Sequence, residues 1–123
     1  MKLNNKLMKP ITTSCSYDTS VFNTPYINNM VRSGNVIEIS FIAQVKAQPS
    51  GNVNLITNLP KFAKSGDNPI LSWVGTTRYI PDENATPKQL WTSGDESIRT
   101  GRNLLTAGNW LYFNYVYITS DTN

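Results

Sequence analysis

The sequence predicts an all-β chain, an antiparallel jelly-roll-like β-sandwich, and three observations carry that prediction. Asn, Thr and Ser number 15, 13 and 11 of the 123 residues, and such short polar side chains compete for backbone hydrogen bonds and disfavour helix interiors. Only five Ala stand against six Tyr, four Phe and three Trp, a balance that suits strands. The clearest patterned segments repeat with a period of two, and no amphipathic stretch of helix length occurs. A chain of this length supports one domain without help from a metal or disulfide.

Residues 1–10 carry charge without period and read as an N-terminal tail or connection; residues 11–123 read as a single β-sandwich. ITTSCSYDTS (11–20) is a β-branched first strand of little apolar mass, and YINNMV (26–31) a second. After the Ser33-Gly34-Asn35 turn, NVIEISFIAQVKAQ (35–48) places Ile37, Ile39, Phe41, Ala43, Val45 and Ala47 on one side, a half-buried strand. A helix would scatter these residues around its surface. NVNLITNL (52–59) alternates again through Val53, Leu55, Thr57 and Leu59 until Pro60 withdraws a ladder donor. KFAKSGDNP (61–69) is a connection rich in turn formers. ILSWVGTTRYI (70–80) reads as two strand pieces divided or bulged at Gly75, PDENATP (81–87) as an exposed loop, and KQLWTS and SIRT as short strands around Gly94-Asp95-Glu96. LLTAGN (104–109) has no firm assignment.

WLYFNYVYITS (110–120) closes the series with large side chains on both faces. Such a strand lies centrally between sheets or carries an oligomer interface, for which Leu111, Phe113, Tyr115 and Tyr117 are the candidates.

Charge and composition exclude several functions. Lys2, Lys6 and Lys9 account for the whole net charge of +3, and from Ile11 onward eight basic residues balance eight acidic ones. A duplex binder needs a focused positive surface, so no nucleic-acid partner is expected. One Cys and no His leave no intrachain disulfide, no Cys/His zinc site and no His-based acid–base or triad catalysis. No P-loop, dinucleotide fingerprint, calcium loop or zincin motif occurs, and neither cofactor nor metal is expected. No apolar segment predicts membrane insertion. Asp82-Glu83 and Asp95-Glu96 are adjacent acids in turns, which diverge into water. Glycosidases need two carboxyls about 5 to 9.5 Å apart across a substrate, and a noncatalytic protein is expected.

Saccharide recognition needs planar apolar faces for the C–H surfaces of sugar rings, with directional polar groups beside them. WVGTTRYIPDEN offers Trp73, Arg78, Tyr79, Asp82 and Glu83, and WTSGDESIR offers Trp91, Asp95 and Arg99. Each Trp also fits a core position, and Arg78 and Arg99 also suit intersubunit ion pairs with Asp82, Asp95 or Glu96.

GNVIEISFIAQVKA (34–47), the Leu59-Pro60 break and the aromatic strand reaching YITSD (117–121) give the chain a pattern that resembles the C-terminal head domains of bacteriophage receptor-binding and tail-fibre proteins, particularly of phages of Gram-positive bacteria. The resemblance spans most of residues 34–121. It implies a head domain of jelly-roll-like fold, usually a homotrimer, that binds host cell-surface polysaccharide, is joined to other tail or baseplate proteins, and sits at the virion tail or baseplate after synthesis in the host cytoplasm. A structural tail or capsid-decoration protein and a nonviral lectin or adhesion module are the alternatives.

Overall fold

The computed structural model describes residues 9–64, 66, 68–78, 80–100 and 105–122. Among them are nine strands: β1 (Ile11–Thr13), β2 (Ser16–Tyr17), β3 (Ile27–Ser33), β4 (Val36–Gln44), β5 (Val53–Thr57), β6 (Pro69–Gly75), β7 (Thr86–Ser93), β8 (Ser97–Thr100) and β9 (Trp110–Ile118). All are antiparallel and join in one ladder of order β1-β3-β4-β9-β6-β7-β8-β5-β2. The chain is therefore all-β, as its composition predicts. Of the expected N-terminal tail, residues 1–8 lie outside the described residues, and Lys9 and Pro10 are exposed.

The spine of the fold is the pairing of β4 with β9, continuous from Val36↔Ile118 to Gln44↔Trp110. Alternation in β4 works as its sequence demands: Ile37, Ile39, Phe41 and Ala43 are fully buried, and Val45 beyond it nearly so, whereas Glu38 is exposed. Gly34, with φ of 61°, takes the left-handed position of the two-residue turn between Ser33 and Val36 that brings β3 back along β4. On the other side of the ladder, β6, β7 and β8 form consecutive hairpins and β5 returns beside β8, a Greek key.

The sheet curls into a half-barrel. Its two edge strands, β1 and β2, are separated in the chain only by Ser14 and Cys15. At that corner the Asn28 side chain substitutes for a strand neighbour, accepting from the Cys15 N–H (2.8 Å) and donating to the Cys15 carbonyl (2.9 Å). The Tyr17 ring on β2 meets Phe41 on β4 at 5.8 Å, although five strands separate β2 from β4 in the ladder. One core results, shared by β4, β9 and the Greek key through Phe22, Leu55, Ile56, Leu90, Ile98 and Leu105. Burying an aliphatic or Phe side chain of this kind contributes about 1.5–3 kcal/mol.

Five local outcomes differ from the sequence reading, the first being that the expected strand over 35–48 ends at Gln44 and leaves Ala47 exposed. The expected 11–20 strand breaks at the Ser14–Cys15 corner into β1 and β2, because its halves pair with opposite edges of the sheet. A register shift between Asn54 and Ile56 buries both Leu55 and Ile56, so strict alternation fails in β5. β6 ends at Gly75, and among the described residues no second strand precedes β7; the carbonyls of Thr77, Arg78 and Ile80 instead turn toward Tyr112. β7 begins earlier than expected and includes Pro87; β8 accompanies β7 only from Trp91, so the proline lies where that flank has no ladder to interrupt.

The expected oligomer face also needs correction. Leu111, Phe113 and Tyr117 point into the domain's own core, and Tyr115 is half-buried against it. β9 runs through the middle of a curled sheet, and its concave side is filled by the domain itself. Val116 and Ile118, on the opposite side, are the exposed apolar residues of this strand.

Candidate functional site

Strand register places the candidate aromatic residues on one convex face. Residues paired directly across antiparallel strands share a face, so the pairings Pro87↔Trp73↔Tyr112↔Ile42 define one cross-strand row. Pro69↔Trp91↔Arg99↔Asn54 define a second. Along β7 the two rows are four residues apart, about 13 Å at a rise of roughly 3.3 Å per residue. Leu71 and Gln89 form the row between them. Trp73 is 43% and Leu71 57% exposed, and Trp91 is half-buried. The inward neighbours Ile70, Ser72 and Val74 on β6, and Leu90 and Thr92 on β7, belong to the interior. Alternation in these two strands thus sends both tryptophans outward, with an aliphatic side chain and an amide between them and a guanidinium in the row of Trp91.

The loop from Thr76 to Ala85 stands at the Trp73 end of this strip, and Tyr112 organises it. The Tyr112 hydroxyl lies 2.6 Å from the Thr77 carbonyl, 2.9 Å from that of Arg78 and 3.1 Å from that of Ile80. Burial and the charge of Asp82 push the Tyr112 phenol above its ordinary value. Asp82 is fixed in turn: its carboxylate accepts from the Thr77 hydroxyl and, at 3.0 Å, from the Asn84 N–H, while its carbonyl accepts from the Ala85 N–H at 3.0 Å. The Thr77 hydrogen bond, foremost, holds the carboxyl below the usual Asp value. Gly75 allows the loop to close over Tyr112, since a Cβ there would stand 3.2 Å from Ala85 Cβ and 3.4 Å from Tyr112 Cε2.

The predicted site residues therefore separate. Trp73, Trp91 and Arg99 share the convex face; Arg78, Asp82 and Glu83 belong to the loop beyond Trp73. Tyr79 lies outside the described residues. Asp95 sits in the β7–β8 turn, at the other end of β7 from Asp82, where its carbonyl accepts from the Phe62 N–H at 2.8 Å. The two groups of residues form the ends of a strip and do not converge on one point.

A second region was missed in the sequence. β6 pairs with β9 only from Trp73↔Tyr112 to Gly75↔Trp110 and then diverges. The fork is bridged farther along by the Ala63 N–H to the Ile118 carbonyl (2.9 Å) and the Ser120 N–H to the Lys61 carbonyl (3.0 Å). Between these points lies a cavity of about 410 Å³ bounded by Phe62, Ala63, Lys64, Asn68, Tyr115, Tyr117 and Ile118. The Tyr115 and Tyr117 rings stack at 5.4 Å, and Phe62 meets Tyr117 edge-on at 4.8 Å. Tyr117 donates to the Pro60 carbonyl at 2.8 Å, and burial drives its phenol well above the ordinary value. Asn68 is held by Thr92, whose hydroxyl accepts from the Asn68 N–H at 3.0 Å. A cavity of this kind leaves no sequence signal, because it arises where two strands fail to stay together.

Among the described residues no three His, Cys, Asp or Glu side chains gather as a metal site. Burial pushes the Cys15 thiol up to about 11, which keeps it protonated and unreactive at neutral pH. Together the fold and its convex face define an all-β domain bearing an aromatic strip flanked by polar loops. Comparison with known protein families, curated proteins and solved structures finds no match for this chain.

Proposed function

We propose that the protein is a noncatalytic recognition module for cell-surface saccharide, working as a homotrimeric phage head domain of the jelly-roll-like sandwich class, joined to other tail or baseplate proteins of the virion. The observation that carries the saccharide reading is the placement of Trp73 and Trp91 on one convex face, on adjacent strands and in rows about 13 Å apart, with Gln89 in the row between them and Arg99 in the row of Trp91. Two aromatic surfaces at that spacing suit an extended glycan whose rings stack at intervals, while the amide and guanidinium orient its hydroxyls. The phage assignment rests on the order of strands and turns in the sequence. Trimerisation multiplies weak contacts, because engagement of one site raises the effective concentration at the next.

The test is titration of host-wall polysaccharide against the protein, followed by tryptophan fluorescence and by assay of reducing ends. Saturable quenching without new reducing ends is expected, and Trp73→Ala should weaken binding about tenfold, on the order of 1.4 kcal/mol. New reducing ends would make the protein an enzyme. Full affinity in both Trp73→Ala and Arg99→Ala would remove the strip from the recognition surface. Light scattering of the same samples should give three times the 13.8 kDa chain mass; a monomer would overturn the trimer.

A further inference from the structure

We propose that the cavity where β6 parts from β9 is a binding site for a small organic carboxylate with a flat apolar body, such as an aromatic acid. Its volume of about 410 Å³ falls within the roughly 300–1,000 Å³ of small-molecule pockets. Phe62 and Tyr117 are buried and make its floor, Tyr115 and Asn68 are half-buried, and Ala63, Lys64 and Ile118 stand exposed at its mouth. The Phe62 ring lies at 67° to both tyrosine rings, which are themselves only 24° apart. The three rings form a corner, and a flat body fits a corner with its face on one ring and its edge on another.

Charge selects among flat ligands. An aromatic lining alone would also suit a cation held over ring faces. Here Lys64 is the one charged side chain among the described residues that bound the cavity, and no carboxylate accompanies it. Neither the Lys64 ammonium nor the Tyr115 hydroxyl makes a hydrogen bond or ion pair with a described residue. Burial raises the Tyr115 phenol above its ordinary value, so it keeps its hydrogen at neutral pH. Two donors without acceptors thus line one apolar cavity. A carboxylate supplies acceptors for both, and its bond to an ammonium is of the strong, charge-assisted kind. The backbone that carries Lys64 is itself held: the Asn68 side-chain amide donates to the Lys64 carbonyl at 3.3 Å, and the Asn68 N–H donates to the Thr92 hydroxyl on β7 at 3.0 Å.

The site is independent of saccharide binding, and its test uses no glycan. Isotope-labelled protein is titrated with sodium benzoate at constant ionic strength while backbone amide shifts are followed by NMR. Benzamide, benzyltrimethylammonium and inorganic phosphate are titrated in parallel. Saturating shifts at Ala63, Lys64, Asn68, Tyr115 and Tyr117 are expected for benzoate, with a dissociation constant on the order of 1 mM for a ligand of about nine non-hydrogen atoms. Benzamide keeps the ring and loses the charge, and should bind about tenfold more weakly; the cation lacks the carboxylate and phosphate lacks the ring, and neither should saturate these shifts by about 20 mM. Lys64→Gln, a change to an exposed residue, should weaken benzoate about tenfold and leave benzamide unaltered, while Tyr115→Phe should weaken benzoate about threefold. Both variants should melt within about 2 °C of the wild type, and Trp73→Ala should bind benzoate as the wild type does. No saturating shift at these residues by about 20 mM benzoate, equal affinity of the wild type for benzoate and benzamide, tighter binding of the cation, or undiminished benzoate affinity in Lys64→Gln would each overturn the proposal.

Discussion

The two halves of β9 solve the same problem in different ways. From Trp110 to Tyr112 the strand has β4 on one flank and β6 on the other; from Phe113 to Ile118 it keeps β4 alone. Each half uses a tyrosine hydroxyl to hold a crossing loop. Tyr112 gathers the carbonyls of Thr77, Arg78 and Ile80 beneath an exposed loop, and Tyr117 ties the carbonyl of Pro60 beside the core. Where a strand neighbour is missing, aromatic packing among Phe62, Tyr115 and Tyr117 takes its place, and a cavity remains because rings do not fill space as a strand does. The comparison teaches that one strand serves both as the structural centre of the domain and as the support of its surface loops.

The largest effect expected from breaking this arrangement is at Phe113, fully buried opposite Phe41. Phe113→Ala should cost about 3–5 kcal/mol, read by chemical denaturation, since it removes apolar burial and leaves a cavity. A cost below about 1 kcal/mol would show that the concave side of β9 is not the core. The next effect separates the two tyrosines. Tyr117→Phe should cost about 1–2 kcal/mol because it removes the donor to the Pro60 carbonyl beside the core. Tyr112→Phe should cost less globally, as the exposed loop carbonyls can turn to water, yet it should accelerate amide exchange at Thr76, Thr77 and Asn84. Equal exchange in the two variants would erase the distinction between the pins. The smallest effect belongs to Trp73→Ala: with the ring partly exposed, a loss of about 1 kcal/mol or less is expected in the same denaturation assay. A much larger loss would return Trp73 to the core.

Much of this architecture was legible in the sequence, for reasons particular to each element. Period-two alternation made the inward face of β4 readable residue by residue. The same rule sorted β9 into its two faces but left their destinations open, because both carry large side chains. What decides between them is the curl of the sheet, and that depends on pairings such as Ser16↔Thr57, between residues far apart in sequence. The tryptophans were readable as candidates; only the register of β6 against β7 put them on one face. The carbonyls around Tyr112 were illegible because every residue has a carbonyl, and only the path of the loop determines where it points. Asp95 was grouped with Trp91 by nearness in sequence, whereas the hairpin carries its backbone around to Phe62.

The corner at Ser14 and Cys15 has a mechanical consequence. β1 and β2 are two parts of one bent segment, the first paired to β3 and the second to β5. Tension applied through the residues before Pro10 enters at Ile11 and must strip the three ladder pairs from Ile11↔Arg32 to Thr13↔Met30 before it reaches Cys15. There the two hydrogen bonds between Cys15 and the Asn28 side chain resist next. The strand that closes the curl is thus also its handle, and a pull on the N-terminus meets the β1–β3 seam before it reaches the corner.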